Sequence, residues 1–450
     1  MIQSKNFYRR LVSGIDSWLI FSVVVLAFIS FAAIYSVGSN CGMSFKYLLI
    51  QLLAFIMGFF WLVLIANFNY QHYKYLDKFI YILSFMLLTS VLIFGSTRRG
   101  TKGWFDFGFI SFQPVEIAKI MFILSLASFL DKKSKEIDKI SFLVSVFAML
   151  VLHVALIMMQ PDFSSTLSYF PVTLVLLFII GVKPFYLFCI VIFASVTVGV
   201  PLLETFLNMQ LKFSQNKMFL THFIISLKTG WVGVYAVGMI LFLIIVGWYF
   251  LWKLKIKIAI TYPYVLCISI LLGCLSSLVV GKTLKDYQRK RLVVFLNPKA
   301  DLRGSGYNII QSKITIGSGK FIGKGLKKGS QTQLGFLPER HTDFIFSVIA
   351  EEGGWVVAQI TLFFYFFFVW RAFVIARDAR DRYGSLVATG LAIMFMFYIV
   401  INISMVMGMM PAAGVPLPLL SYGGSSVFSS LCAIGILCSV SMRKHTHCSD

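Results

Sequence analysis

Long apolar runs recur along the chain, separated by short polar breaks. They fall at 18–38, 46–66, 76–94, 114–130, 140–160, 163–182, 184–206, 231–251, 260–281, 343–371, 385–408 and 424–442, most of them near the roughly twenty residues that carry a helix across a bilayer. The runs are unbroken rather than alternating in ten-residue segments, which favours helices over barrel strands. A helix also satisfies its own backbone hydrogen bonds where no water is available. The pattern therefore predicts an all-α polytopic membrane protein of about twelve transmembrane helices. The first run lacks a small-residue cleavage site and continues past the length of a signal-peptide core, so it is expected to be a retained helix.

Composition agrees: 58% hydrophobic residues, mean hydropathy +0.85, 46 Phe and 13% charged residues in 450 positions. This excludes a soluble globular class. The formal net charge is +22, yet the positives are spread as a topology signal rather than as a nucleic-acid footprint, so no nucleic-acid partner is expected. Lys5, Arg9, Arg10, Lys74, the 131–139 turn, Lys253, Lys255, Lys257, the Arg371 to Arg382 cluster, Arg443 and Lys444 all fall on one side of the predicted bundle. That side is expected to be cytoplasmic, with both termini on it. Arg98, Arg99 and Lys102 break the rule from the opposite side, which points either to a bound anion or to lipid phosphates. The seven cysteines are odd in number, mostly within apolar runs and without CxxC spacing, which argues against a disulfide framework or a zinc site.

One long polar region stands out at 282–342. It carries thirteen Lys or Arg against Asp286, Asp301 and Glu339, a net charge of +10. Such a charge suits phosphate or pyrophosphate. Its GSGKFIGKG stretch, 317–325, lacks P-loop spacing and a surrounding βα unit, and is read as flexible glycine that lets backbone N–H groups approach an anion. Within the apolar runs, Glu116 and Lys119 stand three apart on one helical face. They either form a helix-stabilising pair or line a substrate cavity. Asp162, after Pro161, either caps the following helix or has a functional role.

Five ordered segments then resemble one family: GWFDFGFISFQPVEIAK (103–119), QPDFSST (160–166), YQRKRLVVFLNPKADLRGSGYNIIQSKITIGSGKFIGKG (287–325), GSQTQLGFLPERHTDFIFSVIAEEGG (329–354) and PAAGVPLPLLSYGGSS (411–426). Together they resemble the SEDS family (shape, elongation, division and sporulation), and within it the rod-shape branch more than the division branch. The resemblance implies a peptidoglycan glycosyltransferase that polymerises lipid II in the bacterial inner membrane and releases undecaprenyl pyrophosphate. It also implies a class B penicillin-binding protein transpeptidase and other elongation-complex membrane proteins as partners, alongside lipid II and undecaprenyl-linked glycan.

The family's catalytic aspartate matches Asp301, one of three acids in the polar stretch and the candidate general base. Arg289, Arg291 and Arg303 are candidates to hold pyrophosphate. Glu339, His341 and Asp343 either organise the site or cap the helix that follows. Substrate contacts are further expected of Glu116, Lys119 and Asp162. A divalent cation, magnesium or manganese, is chemically plausible at the leaving group, with no ligand spacing to demonstrate it, and no organic cofactor is expected. Two departures matter: Leu302 stands where the family usually has proline, and a membrane hairpin at 207–257 is expected as an insertion into the family's ten spans. The expected organisation is thus one SEDS-type membrane domain over 1–450, with 282–342 as its extracytoplasmic catalytic loop. A lipid II flippase or other transporter, and a membrane scaffold for a transpeptidase, are the rival readings.

Overall fold

The computed structural model describes residues 14–38, 44–98, 101–106, 108, 111–213, 238, 242, 245–249, 253, 261–283, 304–411 and 414–444. Each expected span except 231–251, most of which lies outside the described residues, coincides with helix. Nine of these helices are long and apolar enough to cross a membrane, among the described residues. The chain divides into two compact units, Met1–Gly181 with Tyr307–Asp450, and Val182–Gly306.

In the larger unit the order is α1 (Ser17–Gly38), α2 (Ser44–Asn67), the short α3 (Gln71–Tyr75), α4 (Asp77–Phe94), strands β1 (Ser96–Arg98), β2 (Thr101–Asp106) and β3 (Ser111–Phe112), then α5 (Pro114–Lys132), α6 (Ile140–Met159), α7 (Phe163–Thr166) and α8 (Tyr169–Ile180). Helices α14 (Arg382–Val406) and α15 (Gly424–Met442) form its centre and are mostly buried, whereas α2 at the rim is mostly exposed. Small residues allow the close approach. A Cβ on Gly435 would lie 2.8 Å from the Leu62 carbonyl oxygen of α2, the kind of contact by which membrane helices associate without a hydrophobic driving force. Polar ties close one end of this unit. Lys74 pairs with Asp131 at 2.7 Å and Lys132 with Asp77 at 2.7 Å; Arg371 pairs with Asp16 and Tyr70 donates to Asp381. The hydrogen bond to Asp131 raises the Lys74 pKa above its ordinary value.

The connection from α4 to α5 is a three-stranded antiparallel sheet in the order β1-β2-β3, pairing Ser96 with Trp104 and Phe105 with Phe112. Apolar periodicity does not reveal so short a sheet. Lys102, read from sequence as an anion or lipid contact, donates from Nζ to the Leu92 carbonyl at 2.7 Å. It thereby satisfies an orphan acceptor at the end of α4.

The smaller unit pairs α9 (Pro184–Phe213) with α10 (Thr261–Thr283). Phe185 meets Tyr262 with ring centroids 4.5 Å apart, Thr197 reaches the Gly273 carbonyl, and a Cβ on Gly281 would lie 3.9 Å from Pro201. Contacts that advance in the same direction along both helices mean that the two run parallel. The span expected between them at 231–251 lies mostly outside the described residues. The remainder of the expected 207–257 hairpin lies largely outside the described residues.

The polar stretch after α10 is not all loop. Residues Ser305–Ser318 form helix α11, anchored where Ser312 donates to the Val406 carbonyl at 2.6 Å and meets Ser347 Oγ at 2.8 Å. A short α12 (Ser330–Gln333) and the long α13 (Ile345–Arg377) follow. Helix α13 is broken at Gly354, whose φ of 70° and ψ of −170° are open to glycine alone. Residues 319–325 run as a strap along the break. Lys324 and Gly325 N–H donate to the carbonyls of Glu351 and Glu352, and Trp355 and Val356 N–H donate to those of Lys320 and Phe321, at 2.9–3.2 Å.

The GSGKFIGKG glycines are therefore not an anion cradle. The N–H groups of Gly319, Gly323 and Gly325 are taken by the carbonyls of Ile316, Gly319 and Glu352, and a Cβ on Gly319 or Gly323 would collide with the backbone of Ala350 or Glu352. Gly354→Ala combines a forbidden φ with a clash against Gly323. It is expected to destabilise the protein by at least about 1–3 kcal/mol, read as an earlier thermal unfolding midpoint of the detergent-solubilised protein; an unchanged midpoint would refute this account of the strap.

Candidate functional site

The segment between the strap and α13 carries the residues the sequence singled out, and it is held from beneath by two adjacent carboxylates. Glu351 is fully buried. Its Oε1 accepts from Lys324 Nζ at 2.7 Å, Gln331 N at 2.9 Å, Ser318 Oγ at 3.1 Å and Ser330 Oγ at 3.4 Å; its Oε2 accepts from Thr332 N at 2.9 Å and Thr332 Oγ1 at 2.5 Å. A charge taken out of water needs this kind of saturation. Glu352 Oε1 accepts from Ser36 Oγ at 2.5 Å and Gln333 Nε2 at 3.2 Å, tying α1 to the same segment. These two acids were passed over in the sequence, although adjacent carboxylates inside an apolar run and beside a Gly-Gly pair are a legible signal.

Above this floor lies a cavity of about 230 Å³ lined by Val37, Tyr47, Gly335, Leu337, Pro338, Glu339, Arg340 and His341. The His341 ring stacks on Tyr47, with centroids 5.4 Å apart and planes 14° apart, and Tyr422 meets both rings edge-on. The Tyr422 N–H donates to the His341 carbonyl at 2.9 Å, and burial raises the pKa of its phenol. Arg340 is buried and donates to the Thr332 carbonyl. Glu339 sits at a φ of 54° and accepts from Thr342 Oγ1 at 3.1 Å. A non-glycine residue in that region is held there by its surroundings.

Glu339 and His341 thus come together at the cavity, whereas Asp343 lies beyond it, its carbonyl accepting from Asn402 at 2.9 Å. Helix α13 starts after Phe344, whose own side chain makes no cap.

Glu116 and Lys119 pair at 2.8 Å on α5, 8% and 3% exposed. Lys119 also donates to Tyr398 of α14, whose hydroxyl donates to Ser168 at 3.3 Å. The pair therefore ties α5 to α14 inside the unit. Asp162 caps α7, accepting from Ser165 N at 3.1 Å and Ser165 Oγ at 2.7 Å, and it also accepts from Gln113 Nε2 at 3.0 Å, just before α5. Capping and bracing between two family motifs occur in one side chain. Asp301, Arg289, Arg291 and Arg303 lie outside the described residues. Among the described residues, no three His, Cys, Asp or Glu side chains gather as a metal site.

The family model of the cell cycle proteins FtsW, RodA and SpoVE matches residues 14–234 and 210–446. The chain belongs to the SEDS family. It is 35% identical over 445 residues to a Treponema pallidum protein named peptidoglycan glycosyltransferase RodA, covering 97% of this chain and 99% of that one. It is 32% identical over 393 residues to the Escherichia coli peptidoglycan glycosyltransferase MrdB, covering 87% and 83%. A solved chain from a peptidoglycan synthase complex, described as coordinating polymerization and crosslinking, shares the fold with a TM-score of 0.67 at 24% identity, covering 96% of this chain and 99% of that one. The SEDS fold expected from the motifs is thus the one observed, as a multi-pass all-α membrane protein.

Breaking the α5 pair leaves one buried charge without its partner, which typically costs about 3–5 kcal/mol. Glu116→Gln and Lys119→Met are each expected to lower the unfolding midpoint clearly. The double substitution should recover part of that loss, and strict additivity in a double-mutant cycle would show that the two side chains do not act as a pair.

Proposed function

We propose that this SEDS protein is a peptidoglycan glycosyltransferase that polymerises lipid II into glycan strands during cell elongation. The observation that carries the reading is the 35% identity to a peptidoglycan glycosyltransferase RodA along almost the whole of both chains. In the proposed step the 4-hydroxyl oxygen of the acceptor sugar attacks the anomeric carbon of the growing strand. The bond from that carbon to the pyrophosphate oxygen breaks, and undecaprenyl pyrophosphate leaves with the electron pair. Asp301 takes the hydroxyl proton, since it is a carboxylate amid cations that favour its ionised, basic form. Arg289, Arg291 and Arg303 stabilise the pyrophosphate charge as it develops. A divalent cation would add further charge neutralisation at the same group.

The cavity at Glu339, Arg340 and His341 is assigned to substrate contact. It is smaller than the roughly 300–1,000 Å³ of a drug-sized site, a scale suited to one sugar or headgroup unit, and its stacked His341 and Tyr47 rings offer an apolar wall beside polar groups. Glu116, Lys119 and Asp162 serve by holding helices in place. Their burial, with Glu116 and Lys119 paired and Asp162 held by Ser165 and Gln113, supports the enzyme over a transporter, whose path would expose such charges to water or cargo.

The polar stretch faces the extracytoplasmic side of the bacterial inner membrane, with both termini cytoplasmic. The partner is a class B penicillin-binding protein transpeptidase, a reading supported by the fold shared with a chain of a peptidoglycan synthase complex. Other elongation-complex membrane proteins assemble around the pair.

Purified Asp301→Asn protein is expected to fold and to bind lipid II and its transpeptidase while glycan polymer falls at least about a hundredfold, the scale of a lost general base. Polymerisation near the wild-type rate, with contaminating polymerases excluded, would overturn the assignment of the base.

A further inference from the structure

Glu351 takes no part in the chemistry above, yet a short line of hydrogen bonds leads from it to the cavity. Its carboxylate holds both the N–H and the hydroxyl of Thr332. The carbonyl of that same residue accepts from Arg340, and Arg340 lies between Glu339 and His341 in the cavity wall. Thr332 is fully buried and Arg340 is 9% exposed, so water has little access with which to replace either link. The wall they support has no regular backbone ladder of its own. Gly335 and Glu339 sit at φ 76° and 54°, and the stretch from Leu334 to Phe344 lies between α12 and α13 without forming helix or strand. The Arg340 side chain ties it to Thr332 outside it, and Glu351 anchors Thr332.

We propose that Glu351 is a positioning residue for glycosyl transfer: through Thr332 and Arg340 it holds Glu339 and His341 at the spacing the lipid-linked sugar requires. Lys324, paired with Glu351 at 2.7 Å and partly exposed, supplies the countercharge for the buried carboxylate. The strap beneath serves the same purpose, because Lys324 and Gly325 reach the carbonyls of Glu351 and Glu352. The proposal rests on the cavity being a substrate contact. It adds that affinity for substrate depends on a carboxylate that never touches it.

The test uses the full chain, purified with its transpeptidase and assayed with lipid II, comparing wild type with Glu351→Gln, Thr332→Val, their double variant and His341→Ala. Thr332→Val keeps the shape and the backbone N–H while removing the hydroxyl bond, so it reports on the line even where Glu351→Gln fails to fold. Unfolding midpoints are measured alongside. Small misplacements of binding groups weaken catalysis out of proportion to the bond lost. The expected result is a KM for lipid II raised about tenfold in Glu351→Gln and Thr332→Val, with kcat within about threefold of wild type. The double variant should be no worse than the weaker single one, since both act along one line.

A raised KM in His341→Ala with an unchanged KM in folded Thr332→Val and Glu351→Gln would overturn the positioning role and leave the cavity assignment standing. An unchanged KM in His341→Ala would overturn the cavity assignment and this proposal with it. A fall in kcat and unfolding midpoint at constant KM would reduce Glu351 to a structural staple and overturn the proposal.

Discussion

A helix interrupted within a membrane protein has to find new partners for the backbone groups the break sets free, because the surrounding hydrocarbon offers none. Helix α13 breaks at Gly354, and the strap at 319–325 answers the freed groups on both sides. Much of the architecture near this site follows from that one constraint. The strap must approach the helix backbone closely, which requires glycine at 319 and 323. The carboxylates of the last turn before the break, Glu351 and Glu352, then face the segment beyond the strap rather than lipid, and they organise α12, Thr332 and the cavity wall.

Buried polarity is placed in the same economical way elsewhere in the larger unit. Glu116 and Lys119 satisfy each other and reach Tyr398 on a central helix, while Asp162 caps α7 and braces the segment leading into α5. Each of these residues is expensive to bury alone, and its partners offset that cost. Residues that a sequence reader takes for substrate ligands can therefore shape the site by fixing the helices around it. The SEDS membership and the fold it brings place such ties in a scaffold whose relatives are named peptidoglycan glycosyltransferases. A scaffold of that kind has to keep a polar site rigid beside a fluid bilayer.

The helical spans were legible because twenty apolar residues in water have no stable alternative to burial or a bilayer, and most of the described bounds follow the runs to within a few residues, while α9 and α13 run on to Phe213 and Arg377. The family was legible from long ordered motifs. The three-stranded sheet at 96–112 was not, since its strands are two to six residues long, too short for an alternating pattern to show. Helix α11 was hidden inside a basic, glycine-containing stretch whose composition reads as loop.

Local chemistry was visible in one dimension: Glu116 and Lys119 stand three apart, Asp162 precedes a turn, and Glu339 and His341 are separated by one residue. The sequence by itself determined these spacings, the membrane class and the family, because each depends on position along the chain or on composition. Tertiary structure alone decided that the glycines of 317–325 serve a helix break, that Lys102 caps a helix, and that Glu351 reaches the cavity through Thr332 and Arg340. Those contacts join residues whose partners lie up to tens of positions away, and a hydrogen bond is chosen by distance in space, which neighbourhood along the chain does not encode.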